Sequence, residues 1–280
     1  MKKIQALSAL NAVAFLVQLC MTVLVQWKWV NDYTVGQISD KYPSLFTPAD
    51  ITFSIWGIIY LGLAVFCIYQ VVMALSKPEE HPANVVTERM GEWFIIANIA
   101  AAFWLLSWVN EEIGLCVIFI FIQLISLIVI HQRIGMYDQR ANAASRWIIQ
   151  APLSIYFGWI TIATLANTSS WANSTDWDGW GLDPVDWTTI LIGIAVFVAI
   201  LIVAIRRNVF FGLVIMWGLF GIILKRMEVD SALYFHILRT AWIGISLLAL
   251  VIVLRLIRNR VVHHHHIKGE AFPVASHPLK

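Results

Sequence analysis

Between Glu112 and His131 the chain places IGLCVIFIFIQLISLIVI, a run without a single charge. In a helix rising about 1.5 Å per residue, about 20 apolar residues cover the roughly 30 Å hydrocarbon core of a bilayer, so such a run constrains the fold more than any other feature. Comparable runs recur along the 280 residues, of which 60% are hydrophobic and only 13% charged. A soluble domain of this size carries far more charge. Eight spans are expected, near residues 8–27, 50–75, 91–109, 113–132, 147–170, 188–205, 208–224 and 232–257. Arg206 and Arg207 separate the sixth from the seventh, because two adjacent arginines inside lipid would be costly. The first run follows Met1-Lys2-Lys3 in the manner of a secretory signal. It is long, however, contains Asn11 and Gln18, and lacks a small-x-small cleavage site before Trp27 and Trp29, so it reads as a retained span. The fold class implied is an all-α polytopic membrane protein with eight transmembrane helices.

Alternate loops differ in basic charge. One side carries 14 Lys and Arg residues: Lys2, Lys3, Lys77, Arg89, Arg133, Arg140, Arg146, Arg206, Arg207, Arg255, Arg258, Arg260, Lys268 and Lys280. The other carries 5, namely Lys28, Lys41, Lys225, Arg226 and Arg239. The excess places both termini in the cytoplasm and supports an even number of crossings. The formal net charge of +2 gives no indication of a nucleic-acid partner. Cys20, Cys67 and Cys116 all fall inside predicted spans with no CxxC pair, which argues for packing rather than a disulfide framework or a zinc site.

Among the loops, LSKPEEHPANVVTERM (75–90) reads as a solvated connector. The segment from Trp27 to Thr47 is longer than two neighbouring helices need and is long enough to fold over a pocket mouth. WANSTDWDGWGLDPVDW (171–187) interleaves tryptophan with aspartate, either as an aromatic belt at the water interface or as a ligand lid; the belt is the simpler reading. Its Asn173-Ser174-Thr175 matches the glycosylation tripeptide, which matters only in a secretory eukaryotic setting. The tail contains His263 to His266, four imidazoles able to hold a divalent metal weakly, within what reads as a disordered basic segment.

The second span opens FTPADITFSIWGIIY. Thr47 is placed as N-cap, Pro48 in the first turn and Asp50 facing the positive helix end. Phe53, Trp56 and Tyr60 follow at spacings of three and four and share one face. Lipid offers no partner for an indole N–H or a phenol, so this face is expected to look into the bundle. The third span brings Asn98, Trp104 and Trp108 beside Ala100, Ala101 and Ala102, and the fifth brings Tyr156, Trp159, Ala163, Thr164 and Asn167, four of them forming a stripe. Counted from the span ends, Trp56, Trp104 and Thr164 lie about 8–9 Å deep and Tyr60 and Trp159 about 15–17 Å. Aromatic planes with a few amides and hydroxyls at matching depth suit a pocket for a large, flat or rigid apolar ligand; simple packing between helices is the competing explanation.

Taken in order, Pro48, Phe53, Trp56 and Tyr60, then Asn98 with Trp104 or Trp108, then Trp159-x3-Ala163-Thr164-x2-Asn167 resemble the TspO/MBR family: the tryptophan-rich sensory protein, translocator protein or peripheral benzodiazepine receptor type. The resemblance covers residues 1 to about 172. Here Asn98 precedes Trp104 by six residues and Pro152 precedes Trp159 by seven, both wider than the family pattern. The resemblance implies a five-helix TspO-like bundle over 1–172, a Trp/Asp-rich outer loop over 173–187, three additional helices over 188–257 as in the longer bacterial form, and a cytoplasmic tail over 258–280. It implies a multi-pass protein of the bacterial cell membrane, surrounded by lipid and able to form a homodimer. Its ligand would be a tetrapyrrole such as porphyrin or haem, a sterol-like lipid or a benzodiazepine-type drug, with no obligatory cofactor. The ligand-binding set expected is Phe53, Trp56, Tyr60, Asn98, Trp104, Trp108, Tyr156, Trp159, Ala163, Thr164 and Asn167.

Receptor or sensor, transporter, and light-dependent porphyrin-degrading protein are the rival roles. The spans contain no catalytic triad, metal cluster or carboxylate pair, and no inverted repeat or pair of broken helices. In the last span His236 and Arg239 share a face, with Glu228 or Asp230 as candidate partners for Arg239; snorkelling of Arg239 to the interface is the simpler reading, and an axial haem role for His236 is another.

Overall fold

The amide side chains of the spans point inward, while many large apolar side chains are left outside the buried core, which a protein folded in water would not tolerate. Asn11, Gln18, Gln70, Asn98 and Gln123 are at most 2% exposed, whereas Leu61, Ile68, Leu75 and Ile205 are 65–69% exposed. Only a solvent of hydrocarbon rewards that arrangement, because an amide facing lipid has no hydrogen-bond partner.

The computed structural model describes residues 2–135, 145–175 and 177–268, with side chains described up to residue 258. Every regular element among them is helical. In chain order these are α1 (Lys2–Gln26), the short α2 (Val35–Lys41), a 3-10 turn (Asp50–Ser54) running into α3 (Ile55–Ser76), α4 (Pro82–Met90), α5 (Trp93–Val109), α6 (Ile113–Ile134), a π turn (Ser145–Gln150) running into α7 (Ala151–Ser174), α8 (Pro184–Arg206), α9 (Val209–Asp230) and α10 (Phe235–Lys268). Among the described residues, seven spans are long and apolar enough to cross a membrane. The pair α4 and α5, bent by 57° at Gly91, makes an eighth if it is counted as one span. This integral-membrane, all-helical architecture is the one the apolar runs predict.

α1 packs on α3 and α5, α6 on α5 and α7, and α3 on α7. α9 joins the last three helices to the rest: it lies along α7 while also packing on α8 and α10. Small residues make this approach close. A Cβ at Gly158 of α7 would lie 2.9 Å from Val214 of α9, and one at Gly218 of α9 would lie 2.9 Å from Ile162 of α7. Such backbone proximity is how helices gain dispersion contacts where no hydrophobic effect drives them together.

Three expectations change, and one candidate pairing is not formed. The second span starts without a Thr47 cap: Ala49 precedes the 3-10 turn, no side chain caps it, and the Ala49 amide donates instead to the Gly221 carbonyl of α9 at 2.9 Å. The 75–90 connector contains the helix α4, started by Pro82 at its first turn and by His81, whose Nδ1 accepts from the Ala83 amide. Asn84 then ties it to α3 through the carbonyls of Met73 and Lys77. Cys67 and Cys116 are buried as expected, but Cys20 is exposed on the outside of α1. Arg239 pairs with neither Glu228 nor Asp230; its guanidinium lies over the Phe235 ring. The tail run His263 to His266 lies outside the residues whose side chains are described.

Candidate functional site

One end of the bundle is covered by the segment between α1 and α3, and α2 forms its centre. Thr34 caps α2 by accepting from the Gln37 amide, while the Gln37 side chain accepts from the Thr34 amide, a reciprocal box that lets seven residues hold a helix. Its one fully buried side chain, Ile38, inserts among Trp108, Ile113 and Cys116.

Polar contacts pin this lid on three sides. Toward α5 and the α5–α6 turn, Asn31 donates to the Val109 carbonyl at 2.7 Å, the Trp108 indole donates to the Val35 carbonyl at 3.0 Å, and Lys41 and Tyr42 both meet the Glu111 carboxylate, at 2.5 and 2.8 Å. Toward α7, Ser44 bonds Ser169 at 2.8 Å and Asn173 donates to the Pro43 carbonyl at 2.9 Å. Toward α9, Lys225 meets Asp40 at 3.4 Å. Lys41 and Tyr42 hold the Glu111 carboxyl below its usual range, and Glu111 in turn raises the Lys41 ammonium and the Tyr42 phenol. Glu111 has φ 64°, a left-handed conformation that a non-glycine residue adopts only against a steric cost.

Beneath the lid lies a narrow cavity of about 50 Å³. α7 supplies one wall with Trp159, Ile162, Ala163, Ala166, Asn167 and Ser170, which recur every three or four residues and so form one continuous helix face. Phe53 and Trp56 face them from the start of α3, Trp104 and Trp108 from α5, and Val35 and Ser39 from α2, with Thr47 and Pro48 at the rim. The rings pack on one another. Trp104 stacks on Trp108 with centroids 5.4 Å apart, and Trp159 meets Phe53 and Trp56 edge-on at 5.7 and 6.3 Å. Trp104 donates its indole N–H to the Asn167 side-chain oxygen at 2.9 Å, and Asn167 donates to the Ala163 carbonyl. Trp159 is 1% exposed, and its indole N–H has no acceptor among the described residues.

Of the residues singled out from sequence, Phe53, Trp56, Trp104, Trp108, Trp159, Ala163 and Asn167 come together here. Tyr60, Asn98, Tyr156 and Thr164 lie outside the cavity, each for a geometric reason. Tyr60 stacks on Trp56 from the side away from the lid and shares a 3.0 Å hydrogen bond with Thr22 of α1. Tyr156 sits one turn below Trp159, and its hydroxyl donates to Gln123 of α6 at 3.3 Å. Thr164 turns its hydroxyl back to the Ile160 carbonyl. Asn98 lies six residues from Trp104, about 240° around the helix, and its amide donates to the Phe94 carbonyl. Val35, Ser39, Ile162, Ala166 and Ser170 line the cavity in addition to the residues expected from sequence, the last three by widening the α7 stripe.

A family model described as TSPO-like protein matches residues 8–254. The chain belongs to the TSPO-like family. No curated protein and no solved structure matches it. The match extends beyond the five-helix region of the sequence resemblance, so α8 and α9 and most of the membrane part of α10 fall inside the matched stretch of this TSPO-like protein. His236, at the lid end of α10, does not line the cavity.

Proposed function

We propose that this TSPO-like protein is a membrane receptor for a flat, apolar ligand of tetrapyrrole or sterol type, held between α3, α5 and α7 beneath the α2 lid. The observation that carries the reading is the Trp159 indole N–H, buried in a wall of aromatic rings without an acceptor among the described residues. A buried donor left unmade costs free energy, and a ligand that brings a carbonyl, ether or ring nitrogen would recover it.

The lining favours some members of this class over others. It contains no charged side chain and no His, Cys or Met. Haem iron bound here would find no axial ligand of those types, so the lining suits a metal-free ring better. The carboxylates of a porphyrin would stay at the water-side rim, since an unpaired carboxylate in an apolar cavity is expensive. Ligand pockets for drug-sized molecules run to about 300–1,000 Å³, far above the about 50 Å³ present with the lid latched. Binding therefore requires α2 to lift.

Titration of the purified protein with protoporphyrin, haem and a sterol, followed by tryptophan fluorescence, tests this. Trp56→Ala and Trp159→Ala are each expected to weaken binding by about 1 kcal/mol or more, or about fivefold, from lost ring contact. Unchanged affinity in both variants would remove the pocket from the account.

A further inference from the structure

A second concavity lies on the outer surface of the bundle, where α9 ends and α10 begins, with a volume of about 640 Å³. Met227 and Ser231 form one edge, and Phe235, Arg239, Trp242 and Ile243 the other. Met227, Phe235, Trp242 and Ile243 are 47–55% exposed, so in a membrane span they face acyl chains, and a groove open to acyl chains is filled by a lipid.

Its polar content says which kind. Arg239 is exposed, four residues and about 6 Å into α10, within reach of the headgroup layer. It makes no ion pair among the described residues, and its only charge-directed contact is the Phe235 ring, 5.8 Å from the guanidinium carbon. Glu228 and Asp230, the nearest acids in sequence, are not part of the lining; the Asp230 carboxylate instead accepts from the amides of Ala232 and Leu233. The groove thus offers one fork of donors suited to a phosphate and no carboxylate to receive an ammonium. From this charge balance we infer that the α9–α10 groove is a site for an anionic phospholipid, its phosphate on Arg239, Ser231 on the water side of it, and one acyl chain laid along Trp242 and Ile243. A zwitterionic lipid would carry an ammonium next to the phosphate and so set a like charge close to the Arg239 guanidinium. The site is separate from the cavity beneath α2 and does not depend on what that cavity binds.

The test is native mass spectrometry of the full chain released from vesicles containing equal parts phosphatidylglycerol and phosphatidylcholine. The wild-type protein is expected to retain phosphatidylglycerol in preference. Arg239→Gln should lower that preference about fivefold, the effect one arginine near an anionic surface supports, and Arg239→Lys should restore most of it. Adding inorganic phosphate should not displace the lipid, because the chain contact remains. Arg239 is exposed, so the variants fold, and an unchanged melting temperature in detergent will confirm it. Equal retention of both lipids by the wild type, or the same preference in Arg239→Gln, overturns the proposal. So does a dimer mass that carries no lipid and is lost on Trp242→Ala, which would make the groove a contact between two copies.

Discussion

The indole N–H of Trp104 on α5 and the side-chain oxygen of Asn167 on α7 are joined by a 2.9 Å hydrogen bond at the wall of the cavity. That bond fixes two spans far apart in sequence and holds the Trp104 plane against Trp108.

Removing it has a measurable expectation. Asn167→Leu leaves a donor without its acceptor in a low-dielectric site and should destabilise the protein by about 1–3 kcal/mol. In a double-mutant cycle with Trp104→Phe, the coupling should be about 0.6 kcal/mol and no more than about 1.7, the range for hydrogen bonds between membrane helices. Thermal unfolding in detergent reads both values. A coupling near zero would mean that the pair is held by its neighbours rather than by its own bond.

The α7 wall was legible because one straight helix repeats its face every three to four residues, so Trp159, Ala163 and Asn167 could be aligned without any knowledge of their neighbours. The same rule counts against Asn98, whose six-residue offset from Trp104 turns it to another face. The lid helix has a local signal of its own, since Thr34 and Gln37 are spaced as a capping box. α4 has another in His81-Pro82. What no local pattern holds is the seating of α9 against the start of the second span. That depends on Gly221 and Trp217 meeting Pro48 and Thr52 across more than 160 residues, and only tertiary packing brings them together.

That seating gives the next expectation. A Cβ at Gly221 would lie 2.8 Å from the Pro48 Cβ and closer still to Thr52, and the Gly221 carbonyl receives the Ala49 amide. Gly221→Val should therefore push the Pro48–Thr52 segment off α9 and lower stability by about 1–3 kcal/mol, the usual cost of overpacking. Gly36→Ala is the matched control, because a Cβ there meets nothing within 4 Å. Equal melting temperatures for the two variants would show that α9 does not brace the cavity rim.

The lid latch should respond to pH at both extremes. Glu111 has its carboxyl lowered by Lys41 and Tyr42, so its contribution to the closed lid is fully present above the ordinary carboxylate range and is lost as pH falls through the lowered value. Lys41 is raised by Glu111, so its contribution is present below the ordinary lysine range and is lost as pH climbs through the raised value. Between these limits the lid stays latched. Quenching of cavity tryptophans by a water-soluble quencher should be low at neutral pH and rise in acid. In Glu111→Gln the acid transition should be absent and neutral quenching higher. An acid transition unchanged in that variant would place the titrating group elsewhere.

Trp159→Phe separates ring contact from hydrogen bonding in the cavity. Phenylalanine keeps an aromatic face beside Phe53 and Trp56 but deletes the N–H that lacks an acceptor. Loss of an unpaired buried donor carries no polar penalty, so the variant should lose only the smaller ring's packing, within about 1.5 kcal/mol. A ligand that offers an acceptor to the indole should bind about five- to tenfold more weakly, the value of one hydrogen bond made in a dry site, whereas a ligand with hydrocarbon at that position should change little. Titrating a ligand pair that differs only by a carbonyl or ring nitrogen makes the comparison internal. If both lose affinity equally, the indole serves as a surface and its N–H has no part in recognition.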